Sequence, residues 1–418
     1  MTETKKYLWT ILIIHWLVWG FISFDRMIPV FIAPHIISEF QLTNVQFGWL
    51  MSVLSITFAF AGLFGGYLSD RLGRAKVVFP SILIFSIITT LTGLTRSFGQ
   101  LLGLRALLGV GEGAYNSSGI SHLSEVWPEK KRGFALGFHQ TGFPIIGLFL
   151  GGAFAGYVAL HWGWRYVFIV SGIAGLVLAM IYKLVVQEST VYLQNKPKEA
   201  SDSSHKISWG SLRNLFSNRD WTMNLVIVSL TIIAYWSITT FLSVYLIDSK
   251  GFSMEIASLV AGITGITGCL GQLFAAWWSD RIGRKKSYLI LTIGAIISTT
   301  ILMMGNSHTT VIIGLLILGY CIFGPFSLGV AVVPTDMVSK TLFGTSVGFT
   351  VLISEVFGMV GPVLGGYLND RFGHTAALWL AIAAYAVATI CVFFLRETAP
   401  ALRDKFKTKE KELSSVTG

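Results

Sequence analysis

Gly66-Tyr67-Leu68-Ser69-Asp70-Arg71-Leu72-Gly73-Arg74 decides the fold, because the chain repeats it. The stretch Trp278-Ser279-Asp280-Arg281-Ile282-Gly283-Arg284-Lys285 restates it, with Ala276 where Gly66 would fall. Asp70 and Asp280 are 210 positions apart in a chain of 418 residues, so the two copies sit about half a chain apart. A third copy, Gly366-Tyr367-Leu368-Asn369-Asp370-Arg371-Phe372-Gly373-His374, closes the series. Each copy follows a long apolar run, and topogenic charge alone needs no Asp or Gly at fixed offsets. An Asp at a helix end can pair with Arg and with the backbone dipole of a neighbouring helix, which suits a latch that closes in one state.

The surrounding sequence is that of a membrane protein. It is 53% hydrophobic and only 12% charged, with mean hydropathy +0.67. An ordinary soluble domain is about 25% charged, which excludes a soluble enzyme, a disordered chain and a repeat solenoid. A bilayer core takes about 20 mainly apolar residues per helix. Twelve such spans are expected, near 8–32, 46–68, 77–95, 99–122, 133–159, 165–186, 221–247, 256–278, 287–304, 309–333, 342–368 and 375–395. The expected fold is all-α, with twelve transmembrane helices in two pseudo-symmetric six-helix bundles. Cys269, Cys321 and Cys391 all fall inside spans, so neither a disulfide framework nor a metal site is expected.

Charge sets the expected orientation. With the N-terminus cytoplasmic, 25 of the 31 Lys and Arg lie inside. Arg96, Arg165, Lys250 and Arg371 fall outside, and Arg26 and Arg105 lie within the membrane. The net charge of +10 therefore calls for no nucleic-acid partner. The expectation is a multi-pass protein of the plasma membrane, a monomer, with both termini cytoplasmic. The polar stretch 187–220 reads as a cytoplasmic linker between bundles at 1–186 and 221–396, and 397–418 as a cytoplasmic tail. Within the linker, Ile207, Trp209, Leu212, Leu215 and Phe216 could form an amphipathic helix on the inner membrane face.

The repeated G-x-L-x-D-R-x-G-R pattern, with twelve spans and a central linker, resembles the signature of the major facilitator superfamily over essentially the whole chain. That resemblance implies 3+3 inverted repeats and gating by Gly66, Asp70, Arg71, Gly73 and Arg74, and by Asp280, Arg281, Gly283 and Arg284.

Ionisable residues inside spans cost about 2.5–3.5 kcal/mol each at a helix centre and persist where they face a bundle interior or one another. Span 1 holds Asp25 and Arg26, span 4 Arg105 and Glu112, and span 11 Glu355. Arg105, Gly109, Glu112 and Asn116 fall on one helical face. Arg105-x-x-x-Gly109 looks like the superfamily's helix-4 motif, and a carbonyl-binding structural arginine is the plainer role for Arg105.

Asp25-Arg26 together with Gly111-Glu112-Gly113 is similar to the anion:cation symporter family, carriers of organic acids, and also resembles spinster-like lysolipid transporters. The resemblance implies that Arg26 binds a substrate carboxylate and that Asp25 and Glu112 are the protonatable pair. Glu355 departs from the family, which usually has a neutral Asn near it. An extra carboxylate there could bind a cation, carry a second proton or favour a zwitterion. His139 and Gln140 open span 5 where the symporters often place polar cavity residues, and Tyr235 and Trp236 in span 7 could cap a cavity. Structural packing remains the alternative for all four.

No phosphate-binding loop, metal constellation or nucleophile motif is present in the sequence, so the expectation is no enzyme, no cofactor, and transport driven by an ion gradient. The expected mechanism is proton-coupled symport of a small organic anion by alternating access. Its partners are the anion, protons and the lipid bilayer. With no substrate bound, Asp25 and Glu112 are both expected to hold Arg26 until Glu112 is protonated. A proton-coupled exporter of drugs or lipids would use the same cluster. A membrane sensor would be expected to carry an appended signalling domain, for which the stretch after Arg396 is short.

Overall fold

In the computed structural model of the protein, residues 5–188, 213, 215–338 and 343–399 are described. Most of the 187–220 connection, the segment around Ile207, Trp209 and Leu212, and the tail beyond residue 399 lie outside the described residues.

Every regular element among the described residues is helical. The first half contains α1 (Lys5–Phe31), α2 (Ala33–Phe40), α3 (Asn44–Leu72), α4 (Arg74–Thr92), α5 (Phe98–Val126), α6 (Glu129–Gln140), α7 (Gly151–Trp162) and α8 (Trp164–Val185). The rest comprises α9 (Arg219–Asp248), α10 (Met254–Gly262), α11 (Thr264–Ile282), α12 (Arg284–Met304), α13 (His308–Ser327), α14 (Val333–Asp336), α15 (Phe343–Gly358), α16 (Val360–Phe372) and α17 (Ala376–Phe394). Eleven helices among the described residues are long and apolar enough to cross a membrane. The twelfth span is α5, a 29-residue helix that carries Arg105, Glu112 and Glu125.

Spans 5, 8, 10 and 11 are interrupted. Phe143–Leu150 and Leu328–Val332 adopt wider π-helical turns. The first begins beside Pro144, whose ring removes a backbone donor and disturbs the regular ladder. Span 8 breaks between α10 and α11, and span 11 between α15 and α16.

Two compact units emerge, and they cut across the expected boundary. The first comprises Met1–Lys206, Ser237–Ile266 and Met359–Ala377; the second comprises Ile207–Trp236, Thr267–Gly358 and Leu378–Gly418. The first unit therefore includes the end of span 7, the start of span 8 and α16. Ser258 on α10 donates to the carbonyl of Phe31 at 2.7 Å, and Ser52 on α3 donates to the carbonyl of Met359 at 2.8 Å. Phe47 packs edge-on against Phe241. The first unit is filled by a large apolar core around Ile11, Val18, Phe58, Ile82, Phe85 and Leu123.

Each motif copy turns on a glycine whose φ only glycine adopts freely: +113° at Gly73, +103° at Gly283 and +87° at Gly373. This is the physical reason for the fixed Gly. It ends one helix and starts the next within a single residue after the first two copies.

Candidate functional site

Arg26 on α1 and Glu112 on α5 form a buried ion pair, Nε to Oε2 at 3.0 Å, with 3% and 0% of their surfaces exposed. The guanidinium lies over the Phe58 ring of α3, 3.8 Å from its centroid. Arg26 Nη2 and Glu112 Oε1 have no hydrogen-bond partner among the described residues. A buried pair is stabilising only when its remaining donors and acceptors are satisfied, so this one is left half-engaged.

The expectation that Asp25 also holds Arg26 is corrected. Successive helical residues point about 100° apart, and Asp25 faces the other way. Its carboxylate accepts from Thr89 Oγ1 on α4 at 2.7 Å and from Ser171 Oγ on α8 at 2.8 Å. Arg105 is fully buried. It donates to the backbone carbonyls of Asp25 at 2.9 Å and Arg26 at 3.3 Å. These bonds clamp α1 at the level of its two charges. Asn116 and Gln140 are half-buried in the same unit.

His139 is fully buried and belongs to a cluster that was not apparent in the sequence. Its Nε2 lies 3.5 Å from Tyr115 Oη, and its ring stacks on Trp19. Tyr115 Oη also lies 3.0 Å from His15 Nδ1 and donates to the His15 carbonyl. His15 Nε2 is 3.2 Å from His122 Nδ1, and Tyr182 Oη is 3.3 Å from the same nitrogen. All five side chains are buried. Neutral histidines and tyrosines raise no charge signal in an apolar span. The only sequence trace is that Glu112, Tyr115, Gly119 and His122 fall on one helical face.

The first two motif copies build matching boxes. Arg74 pairs with Asp70 across the Gly73 turn and with Glu125 on α5 at 2.9 Å, and donates to Ser69 Oγ at 2.8 Å. Glu188 accepts from the backbone N–H of Arg74 at 2.8 Å. In the second unit Arg284 pairs with Asp280 at 2.6 Å and Asp336 at 3.0 Å and donates to Ser279, while Glu397 accepts from the Arg284 N–H at 2.8 Å. The motif aspartates thus pair with the arginine four residues on, and the third helix is reached through Glu125 or Asp336. Those acidic partners lie outside the motif, and only comparing positions 210 or so apart would have found them. Arg71 and Arg281 instead cover the rings of Tyr67 and Trp277.

Tyr235, Trp236 and Glu355 belong to the second unit. Tyr235 packs edge-on against Trp236 and Phe323. Glu355 is half-buried on α15.

A polytopic helical bundle with paired charges sheltered inside it and signature turns at its helix ends is the architecture of a solute carrier. The family model described as the Major Facilitator Superfamily matches residues 16–271 and again 254–418, and the chain belongs to that superfamily. It is a transporter-family protein and not an enzyme. The cis,cis-muconate transport protein of Acinetobacter baylyi is 27% identical, over 89% of this chain and 91% of that protein. The hexuronate transporter of Bacillus subtilis is 26% identical, over 87% and 88%. Among solved structures, a bacterial homologue of the human lysosomal transporter Spinster, inward-facing and occupied, shares the fold with a TM-score of 0.79. That match covers 94% of this chain and 97% of the other at 19% identity.

Proposed function

We propose that this chain is a proton-coupled symporter of a small organic anion, a carboxylate or sugar acid, in the plasma membrane with both termini cytoplasmic. The observation that carries this reading is the half-engaged pair of Arg26 and Glu112. One guanidinium nitrogen and one carboxylate oxygen stand without partners among the described residues, in a buried setting. A planar guanidinium with a spare donor suits a substrate carboxylate, which it can grip by charge-assisted hydrogen bonds. Protonating Glu112 removes its hold on Arg26 and frees that donor face, so proton and anion load together. Two muconate and hexuronate carriers among the relatives support the substrate class.

In this reading Asp25 is a second protonatable group, and Arg105 ties α5 to α1 beside it through the carbonyl clamp. Asn116 and Gln140 are substrate contacts in this reading, as are Tyr235, Trp236 and Glu355. Transport proceeds by alternating access.

The test is uptake of labelled cis,cis-muconate and glucuronate into proteoliposomes under an inward proton gradient. Accumulation above equilibrium is expected for the wild type. Glu112→Gln should lose it while retaining substrate exchange, and Arg26→Lys should lose both. Uphill uptake by Glu112→Gln at the wild-type level would overturn the reading.

A further inference from the structure

Helices α1 and α6 run side by side in the same direction. Trp9 packs edge-on against Phe134 with ring centroids 5.9 Å apart, and Trp16 Nε1 donates to Thr141 Oγ1 at 3.0 Å. Both pairs are 125 positions apart in the chain, so one register holds over two turns. One turn back, that register sets Lys6 beside Lys131. Lys5 shares the face of Trp9, and Lys131 shares the face of Phe134 and Phe138. All three lysines are exposed, and none makes an ion pair among the described residues. Lys5 and Lys131 are also the first residues of two apolar stretches long enough to cross a membrane. The ammonium groups therefore stand at the water boundary, with the aromatic rings a turn deeper.

Those rings form a shelf beside the lysines. Trp127, just after α5, stands 5.8 Å from Trp9 and 6.3 Å from Phe134, and Phe138 stands 6.2 Å from Phe134. Trp9 and Phe134 are 45% and 55% exposed. Trp127 is 4% exposed, and its Nε1 has no hydrogen-bond partner among the described residues. Topogenic charge explains the sign of the lysines, but it does not explain a buried indole N–H without an acceptor. We propose that this corner of the first unit binds an anionic phospholipid. Its phosphate is held by Lys5, Lys6 and Lys131 and by the Trp127 N–H, and its acyl chains lie against Trp9 and Phe134. A phosphodiester supplies negative charge to three like charges at one level and an acceptor to the indole. Trp9 and Phe134 pack on that indole and, being half-exposed, turn aside to admit the acceptor. The chains then cover the two rings at headgroup depth. Such a lipid bridges the first turns of α1 and α6.

The test titrates the purified protein in detergent with dioleoylphosphatidylglycerol or dioleoylphosphatidylcholine and counts retained lipid by native mass spectrometry. The first phosphatidylglycerol should be retained at about tenfold lower concentration than the first phosphatidylcholine. Lys5→Gln, Lys6→Gln and Lys131→Gln together should remove most of that preference. The same exchange at the exposed Lys76 and Lys286 should leave it intact. Trp127→Phe keeps a ring without a donor, and should weaken retention of both lipids about fivefold while their ratio stays. If Trp127→Phe fails to fold, the lysine variants, altered only at exposed positions, still decide the matter. Equal retention of the two lipids by the wild type overturns the site. So does a preference that survives the change of Lys5, Lys6 and Lys131, or one lost equally on changing Lys76 and Lys286. Displacement of retained phosphatidylglycerol by inorganic phosphate alone would make the corner a site for a free anion and overturn the lipid. Unchanged retention in a folded Trp127→Phe overturns the part given to its N–H.

Discussion

The carboxylate of Asp370 sits on the first turn of α3. It accepts from the backbone N–H and side-chain amide of Asn44 at 2.9 and 2.7 Å and from the N–H of Val45 at 3.1 Å. A helix start exposes unpaired N–H groups and a partial positive charge, so an anion placed there is bound by both. The third motif copy therefore uses its aspartate differently from the first two. It has His374 where they have arginine, and that imidazole lies 3.4 Å from Asp248. With no arginine four residues on, Asp370 is free to reach α3.

Asp370→Asn should loosen this end of the first unit. The side chain is exposed, so the expected loss is about 1 kcal/mol, roughly a fivefold change in any opening equilibrium. Ser52→Cys, placed where the serine meets the Met359 carbonyl, reports it in a background with Cys269, Cys321 and Cys391 replaced by alanine. A membrane-impermeant thiol reagent should label that cysteine about five times faster in Asp370→Asn. An unchanged rate would mean that the contact does not hold this end closed.

Arg105 makes a separate prediction. Its guanidinium serves two carbonyls of α1 at once, and removing it leaves both buried and short of a donor. Arg105→Gln should cost about 2–3 kcal/mol, and Arg105→Lys should recover little, since one ammonium lacks the fork that spans two carbonyls. Thermal melting followed by a dye that reacts with the buried Cys321 checks both. Full stability in Arg105→Lys would show that charge alone suffices.

The spans, the motif copies and the Arg26–Glu112 pair were legible in the sequence because each leaves a strong local mark: long apolar runs, a Gly that must adopt positive φ, and charges that a bilayer does not tolerate unpaired. What was not legible depends on direction and on distant pairing. Asp25 and Arg26 are adjacent in sequence, yet the helix turns them toward different neighbours. Glu125 and Asp336 complete the arginine boxes from 51 and 52 residues away. The histidine cluster is hidden because His15 and His122 are 107 positions apart and each alone looks like an ordinary polar residue in an apolar helix.

Glu39 on α2 gives the pH dependence. Arg165 donates to its carboxylate through both terminal nitrogens at 2.6 and 2.7 Å, and Trp164 Nε1 donates at 2.7 Å. The Arg165 hydrogen bonds hold the Glu39 carboxyl below its ordinary range. A group whose pKa is depressed by folding contributes stability above its unfolded value, and that stability is lost as pH falls through the folded value. Glu39→Gln should therefore lower the melting temperature by a constant amount from neutral pH to about pH 5, with the difference closing below about pH 4. The pair is largely exposed, so the plateau corresponds to at most about 1 kcal/mol and shrinks in high salt. A difference that grows in acid would reverse the assignment.

The two arginine boxes can be compared by double-mutant cycles. Removing Arg74 leaves Asp70 and Glu125 facing each other without a counter-charge, and removing Arg284 does the same to Asp280 and Asp336. Neutralising the acidic partner as well relieves that conflict. Arg74→Gln with Glu125→Gln, and Arg284→Gln with Asp336→Asn, should each be less destabilising than the sum of the single changes, by about 1–3 kcal/mol. Burial ranks the two. The side chains of Arg284 and Asp336 are 5% and 12% exposed, against 13% and 20% for Arg74 and Glu125, so solvent screens the second box less. Its coupling should be the larger. Thermal or denaturant unfolding of the wild type and the six variants measures both cycles, and additive costs in either would show that its arginine and distant carboxylate are neighbours without being energetically linked.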